Sequence, residues 1–119
     1  MTIQECYRAF GGDYQQVLQR LPSESLVARF LVKFPADGSF AQLSDAMGAN
    51  DRELAFRAAH TLKGVCANLN LDRLFSSASA LTEVLRPAAD TIPAEAAPLF
   101  QQVNADYKVT IDAIRAFQG

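Results

Sequence analysis

The sequence predicts an all-α protein, built as an antiparallel four-helix bundle with short additional helices at its N-terminus. Apolar residues recur at a spacing of three and four in one segment after another, which is the pattern of amphipathic helices. Glycine, proline and capping residues separate these segments, and no stretch alternates as a β-strand would. Long amphipathic helices joined by short turns pack most simply as an antiparallel bundle. We expect residues 1–119 to form one domain.

Two short helices are predicted before the bundle. Gly11 and Gly12 can adopt left-handed backbone geometry, so we expect them to end the first helix. Asp13 can then cap the second helix, because a short carboxylate side chain reaches the free backbone N–H groups of a helix start. The second helix carries a short apolar stripe made of Tyr14, Val17, Leu18 and Leu21.

The third and fourth helices are also bounded by recognisable signals. In Pro22-Ser23-Glu24 a capping residue precedes an acidic residue, which indicates a helix start, and Pro35 closes the helix that follows. Its apolar stripe comprises Leu26, Val27, Phe30, Leu31 and Phe34. The fourth helix stops at Gly48. Its stripe comprises Phe40, Leu43, Ala46 and Met47.

The next helix has the clearest start in the chain. Asn50 is a cap residue with Glu53 three positions later, the spacing of a capping box. We expect this helix to run from about residue 50 to Leu69. Asn70 can occupy the turn behind it, since asparagine tolerates left-handed geometry better than other residues with a side chain.

Two further helices complete the prediction. One begins near Asp72 and ends before Pro87, and its stripe comprises Leu71, Leu74, Phe75, Ala78, Leu81, Val84 and Leu85. An Ala- and Pro-rich connection follows within residues 87–98. The last helix could start at Thr91-Ile92-Pro93, because proline suits a first helical position. Its stripe runs almost to the C-terminus, through Leu99, Phe100, Val103, Tyr107, Ile111, Ile114 and Phe117.

Composition argues against a nucleic-acid or membrane role. The chain carries 11 Lys and Arg against 13 Asp and Glu, for a formal net charge of −2, and its basic residues are scattered. Phosphate-backbone binding would need a dense basic stripe. No apolar run approaches the roughly 18 residues of a membrane span, and the N-terminus lacks the pattern of a leader peptide. We therefore expect a cytoplasmic protein.

The cysteines do not indicate a redox or zinc site. Cys6 and Cys66 lie far apart without CxxC spacing, so two buried free thiols are expected. With a single histidine and no loop of spaced Asp and Asn residues, no metal site is predicted either.

His60 is the single histidine of the chain, and its neighbours make it a candidate functional residue. On a helix it shares a face with Phe56, Lys63, Gly64 and Ala67. The residues expected on the opposite side are Ala55, Ala58, Leu62, Val65 and Leu69. An exposed imidazole beside an ammonium group and a residue without a side chain is open to an anionic group. This pattern favours a phosphoryl-carrying histidine.

The run Ala59-His60-Thr61-Leu62-Lys63-Gly64, followed by Asn68-Leu69 and a leucine-spaced helix, resembles the histidine phosphotransfer (Hpt) domain of two-component phosphorelays. The resemblance covers most of the chain. It implies that His60 accepts a phosphoryl group from a receiver-domain aspartate and passes it to another receiver domain. The implied partners are response-regulator receiver domains and a hybrid sensor histidine kinase, with magnesium bound by the receiver and no cofactor in this chain.

The neighbours of His60 then acquire roles. Lys63 can place a positive charge against the phosphoryl oxygens. Glycine inside a helix costs roughly 1 kcal/mol relative to alanine, which suggests that Gly64 is present to leave room for the incoming receiver. We expect a partly apolar docking surface with a charged rim around His60, formed by Phe56, Ala59, Ala67, Glu53 and Arg57.

The sequence is less compatible with two other classes of protein. An enzyme would pair His60 with a nucleophile such as Cys66 or Ser76, but Cys66 points away on the helix, so a carrier without catalytic activity of its own is expected. The main alternative is a non-phosphorylated helical adaptor that binds a receiver or sensor kinase. Asn68 could either cap the helix end or contact phosphate. A monomer is expected, since each apolar stripe can be buried inside one bundle, although a spare apolar face on the N-terminal helices could support a dimer.

Overall fold

Helices account for all regular secondary structure in the computed structural model, which describes residues 1–118. The predicted all-α class is therefore confirmed. No helix within these residues is both long enough and apolar enough to cross a membrane. In chain order the elements are α1 (Ile3–Ala9), α2 (Tyr14–Arg20), α3 (Glu24–Leu31), a short 3-10 helix (Phe34–Ala36), α4 (Ser39–Gly48), α5 (Arg52–Leu69), α6 (Asp72–Leu85) and α7 (Ala96–Gln118).

Helices α4 to α7 form the predicted four-helix bundle. α5 packs between α4 and α6, and α6 packs in turn against α7. The turns from α4 to α5 and from α5 to α6 are only two or three residues long, so these neighbours run antiparallel. Aromatic rings join α4 to α7, because Phe40 stacks on Tyr107 with 4.0 Å between ring centroids and lies 6.1 Å from Phe100.

The N-terminal helices are attached to the bundle by buried hydrogen bonds. α1 packs on α7, where the Cys6 thiol donates to the Ala113 carbonyl over 3.4 Å. The buried phenol of Tyr7 donates to the carbonyl of Leu69 over 2.7 Å, which ties α1 to the end of α5. Both cysteines are free and buried, as predicted.

The two glycines between α1 and α2 serve different purposes. Gly11 has a φ of +71° and so adopts the predicted left-handed geometry, whereas Gly12 does not. A Cβ on Gly12 would lie 2.7 Å from the carbonyl oxygen of Asn70, so glycine here allows the chain to approach the α5–α6 turn. The predicted caps are confirmed, since Asp13 accepts from the N–H of Gln16 in α2 and Ser23 caps α3.

The start of α5 is one residue later than the sequence analysis placed it. Asp51, not Asn50, is the N-cap, and its carboxylate accepts from the backbone N–H of Leu54 over 3.1 Å. Asn50 instead has a φ of +56°, and its side-chain oxygen accepts from the backbone N–H of Ile92 over 2.9 Å. Asn50 and Asp51 are both good N-cap residues. The hydrogen bond from Ile92, in the connection between α6 and α7, occupies the Asn50 side chain, and Asp51 is the cap.

The predicted start of the last helix is also wrong. Pro93 opens a tight turn in which the N–H of Ala96 donates to the Pro93 carbonyl over 3.0 Å, and α7 begins at Ala96. Pro98 lies in the first turn of α7, where a missing N–H breaks no intrahelical hydrogen bond. The connection between α6 and α7 thus covers residues 86–95.

Replacing Tyr7 with phenylalanine should destabilise the domain by about 1–3 kcal/mol, because the buried carbonyl of Leu69 would lose its donor. Urea denaturation followed by circular dichroism measures the change. Tyr14→Phe is the matched control, since the Tyr14 ring is 5.6 Å from that of Tyr7 but is only half-buried. An equal effect of both substitutions would contradict the importance of the hydrogen bond to Leu69.

Stability should also fall in alkaline solution because of the two thiols. Burial raises the pKa of Cys6 to about 11 and that of Cys66 to about 12. A thiol in the unfolded chain ionises near pH 9, so the unfolded state loses protons first and stability declines as the pH rises above that value. We expect urea denaturation under reducing conditions to show this decline between pH 9 and 10, and a Cys6→Ala, Cys66→Ala double variant to show less of it. An unchanged slope would contradict the prediction.

Candidate functional site

α5 exposes His60 on one side and buries its opposite side in the bundle. His60 lies near the middle of the helix, more than two turns from either end. Val65, expected on the buried side, is only half-buried at the edge of α3. The residues of α5 that are buried are Ala55, Ala58, Ala59, Leu62, Cys66 and Leu69. His60 is therefore carried by a helix that is fixed along most of its length.

The imidazole of His60 is supported by one aromatic neighbour. The Phe56 ring, one turn earlier, lies nearly parallel to it, at 18° and 6.0 Å between centroids. The guanidinium of Arg86, the residue that follows α6, lies over the Phe56 ring, 5.2 Å from its centroid. Within residues 1–118, no hydrogen bond or ion pair occupies the imidazole nitrogens. The ring is thus oriented by stacking while its nitrogens remain accessible.

The predicted neighbours Lys63 and Gly64 lie beside His60 as the helical spacing requires. Lys63 is half-buried and Gly64 is exposed, both one turn further along α5. A Cβ added to Gly64 would have no heavy atom within 4 Å. Packing inside the domain therefore does not require a glycine at this position, and the free space faces outward.

The predicted docking surface needs one correction. Phe56 and Ala67 are half-buried, and Glu53 and Arg57 are exposed and form an ion pair of 2.6 Å. Ala59 is completely buried, because it lies on the side of α5 that packs into the bundle. It cannot contribute to a surface for a partner.

Exposed apolar side chains extend this surface beyond the residues identified from the sequence. Leu54 is 53% exposed and borders a groove of about 550 Å³ between α4 and α5. Phe30 is 43% exposed and borders a second groove of about 310 Å³, which also includes Asn68. Phe30 was missed because it belongs to the predicted apolar stripe of the third helix, and a residue on such a stripe is normally buried.

The end of α5 is capped by Asn70 and not by Asn68. Asn70 has a φ of +53°, and its N–H donates to the carbonyls of Cys66 and Ala67. The Arg20 guanidinium from α2 also donates to the Ala67 carbonyl and, over 3.1 Å, to the Asn70 side chain. These contacts leave Asn68 exposed beside the groove.

Two charged residues near His60 were also missed, Glu83 in the last turn of α6 and Arg86 directly after that helix. Arg86 forms an ion pair of 2.9 Å with Glu83. The pKa of the Glu83 carboxyl is lowered, first by its hydrogen bonds and charge interaction with Arg86 and also by the charges of Lys63 and His60. These residues could have been predicted from the sequence. Because α5 and α6 are antiparallel and joined by a short turn, residues 81–86 lie beside residues 55–60.

The site combines an exposed imidazole with nearby positively charged side chains. Burial raises the pKa of the Cys66 thiol to about 12, so it stays protonated on the far side of α5 from His60. Across residues 1–118, no three side chains of His, Cys, Asp or Glu gather where they could hold a metal ion.

Comparison with protein families matches residues 25–116 to the Hpt domain. The chain belongs to the Hpt domain family. Hpt domains are phosphocarriers that take part in histidine phosphotransfer in two-component systems, where they interact with receiver domains and kinases. Comparisons with curated proteins and with solved structures find no match. The matched segment of this Hpt domain includes the whole of α4, α5 and α6, and with them His60.

Replacing Gly64 with alanine should stabilise the domain but slow phosphotransfer. The methyl group fits the open space and improves helix propensity, so we expect about 1 kcal/mol of extra stability. The same methyl group would project into the open space beside His60, so we expect slower labelling by a phosphorylated receiver. Thermal denaturation and single-turnover transfer measure the two effects.

Gly48→Ala is the matched control. Gly48 ends α4, and an added Cβ there also meets nothing within 4 Å. This variant should keep the wild-type transfer rate. Wild-type transfer by Gly64→Ala would contradict the steric role of Gly64.

Proposed function

We propose that this Hpt domain is a phosphorelay intermediate in the cytoplasm. His60 would accept a phosphoryl group from the receiver aspartate of a hybrid sensor kinase and pass it to a response-regulator receiver. The observation that carries the proposal is the exposed His60 ring with unoccupied nitrogens, placed beside a lysine and an outward-facing glycine.

The transfer step requires little machinery from this chain. The unprotonated ring nitrogen of His60 directs its lone pair at phosphorus, and the N–P bond forms as the P–O bond to the receiver aspartate breaks. The electron pair of that bond leaves with the aspartate carboxylate. The onward step is the same exchange in reverse with a second receiver. Attack by a ring nitrogen that carries a free lone pair needs no general base.

Phosphoryl transfer depends on alignment and on compensation of negative charge. We propose that α5 supplies the alignment, because the packing of its buried side fixes the backbone at His60 with respect to the bundle. Lys63 would supply a positive charge to the phosphoryl oxygens, and the receiver would supply magnesium. Gly64 would let the receiver aspartate come within bonding distance of the ring.

The receiver would dock on the exposed side of α5. Phe56 and Ala67 offer apolar contact near His60, while Glu53 and Arg57 lie at the rim as exposed charges. Such a surface, partly apolar with charges at its edge, suits a transient complex. The exposed side chain of Leu54 would widen the apolar part.

The proposal predicts that a receiver carrying labelled phosphate transfers it to the wild-type protein in the presence of magnesium. The label should be acid-labile and alkali-stable, as a phosphohistidine is. A His60→Gln variant should take up no label, yet it should keep the wild-type circular dichroism spectrum and still bind the receiver, because the exposed ring contributes little to the core. Gel-based transfer assays and a binding titration measure these properties.

Label retained by His60→Gln would contradict the assignment of His60. Wild-type protein that is folded and binds receivers, but takes up no label from a broad panel of them, would instead support the non-phosphorylated adaptor.

A further inference from the structure

We infer that Glu83 on α6 is a positioning residue that keeps the phosphoryl group on His60 transferable, by holding Arg86 and offsetting Lys63. This inference rests on the proposed function and assigns a role to a charged pair that phosphotransfer as described above does not use. It follows from contacts that connect Glu83 to His60 through two intermediate side chains.

The first contact joins the two members of the charged pair. Glu83 accepts two hydrogen bonds from the Arg86 guanidinium, at 2.9 and 3.2 Å. This paired geometry fixes the guanidinium more firmly than a single contact would. Both side chains are about half exposed or more, so the pair itself adds little to stability.

The next contacts lead to the phosphoacceptor. The Arg86 guanidinium lies over the Phe56 ring, and the Phe56 ring stacks on the His60 imidazole. A cation over an aromatic face is attracted to it, so Arg86 helps to hold Phe56 in place. Glu83 therefore acts on the orientation of His60 through Arg86 and Phe56.

Glu83 also acts through space. Its pKa is lowered first by the hydrogen bonds and charge of Arg86 and also by the charge of Lys63, so its carboxylate lies within the electrostatic reach of Lys63, one turn along α5 from His60. A phosphoryl group on His60 adds close to two negative charges. The same carboxylate that offsets Lys63 before transfer must repel the phosphoryl group after it.

These contacts have a chemical consequence. In the unmodified domain, the two cations are partly compensated by Glu83. Once the N–P bond has formed on His60, the phosphoryl oxygens attract Lys63 and Arg86 in competition with Glu83. Repulsion by Glu83 and its hold on Arg86 both raise the free energy of the phosphohistidine state. The phosphoryl group therefore leaves more readily for the next receiver aspartate, and the N–P bond breaks as a P–O bond forms.

The inference can be tested by the equilibrium distribution of labelled phosphate between a receiver and this protein. We expect Glu83→Gln to shift the equilibrium toward phosphohistidine by about two- to five-fold at low salt, and less at high salt, because the interaction is screened. Arg86→Gln should shift it in the opposite direction. Glu83→Asp keeps the charge and should restore most of the wild-type value.

Asp112→Asn is the matched control. Asp112 is an exposed acid on α7 that is paired with Lys108 over 3.0 Å, and removing its charge should leave the equilibrium unchanged. A purely structural role for Glu83 would change stability without a salt-dependent shift in the equilibrium. An equilibrium of Glu83→Gln equal to that of the wild type would overturn the inference.

A second arm separates this inference from the proposed function. Phosphoramidate is a small phosphoryl donor that can label an exposed histidine without a receiver. We expect the phosphohistidine of Glu83→Gln to hydrolyse at about half the wild-type rate or less, by the same electrostatic reasoning. Equal lifetimes would overturn the role of Glu83. Longer lifetimes with no transfer from any receiver would overturn the relay and leave the electrostatic role of Glu83 standing.

Discussion

The arrangement at His60 depends on the burial of one side of α5. This helix is packed between α4 and α6, and its C-terminal end is held by the N-terminal helices through the hydrogen bond from Tyr7 to Leu69 and by Arg20. A helix constrained along its length and at its end presents its exposed side chains in a fixed register. The position of His60 is therefore a property of the packed domain as a whole, even though its nearest partners lie on the same helix.

Such a rigid support suits a site with few functional groups of its own. Phe56 stacks on the imidazole, Lys63 lies one turn further along α5, and the space outside Gly64 is open. The remaining groups required for phosphoryl transfer would come from a partner. If two proteins divide the chemistry in this way, the precise geometry must be set at their interface. An exposed helix in the middle of a bundle is easy for a partner to reach. Under the inference drawn above, Glu83 would adjust the phosphoryl exchange through Arg86 and Phe56.

The sequence predicted the features that depend on local chemistry. Helical stripes, the caps at Asp13 and Ser23 and the left-handed turn at Asn70 follow from side chains acting on their own backbone. It was wrong or silent where distant segments meet. Asn50 is not the N-cap of α5, because its side-chain oxygen accepts a hydrogen bond from the backbone N–H of Ile92. Ala59 is buried because a neighbouring helix covers it. The same holds for the Glu83–Arg86 pair, which becomes adjacent to His60 only when α6 folds back on α5. The roles of His60, Lys63 and Gly64 stay predictions.

The attachment of α1 has a practical consequence for how this domain is handled. The family match begins at residue 25, but Tyr7 and Phe10 are among its largest fully buried side chains and pack with the bundle. A fragment cloned to the family boundary would uncover the apolar surface that these rings occupy and would lose the donor to Leu69. Recombinant versions should therefore retain the first helix, since a shortened one invites aggregation that could be mistaken for an intrinsic tendency to self-associate.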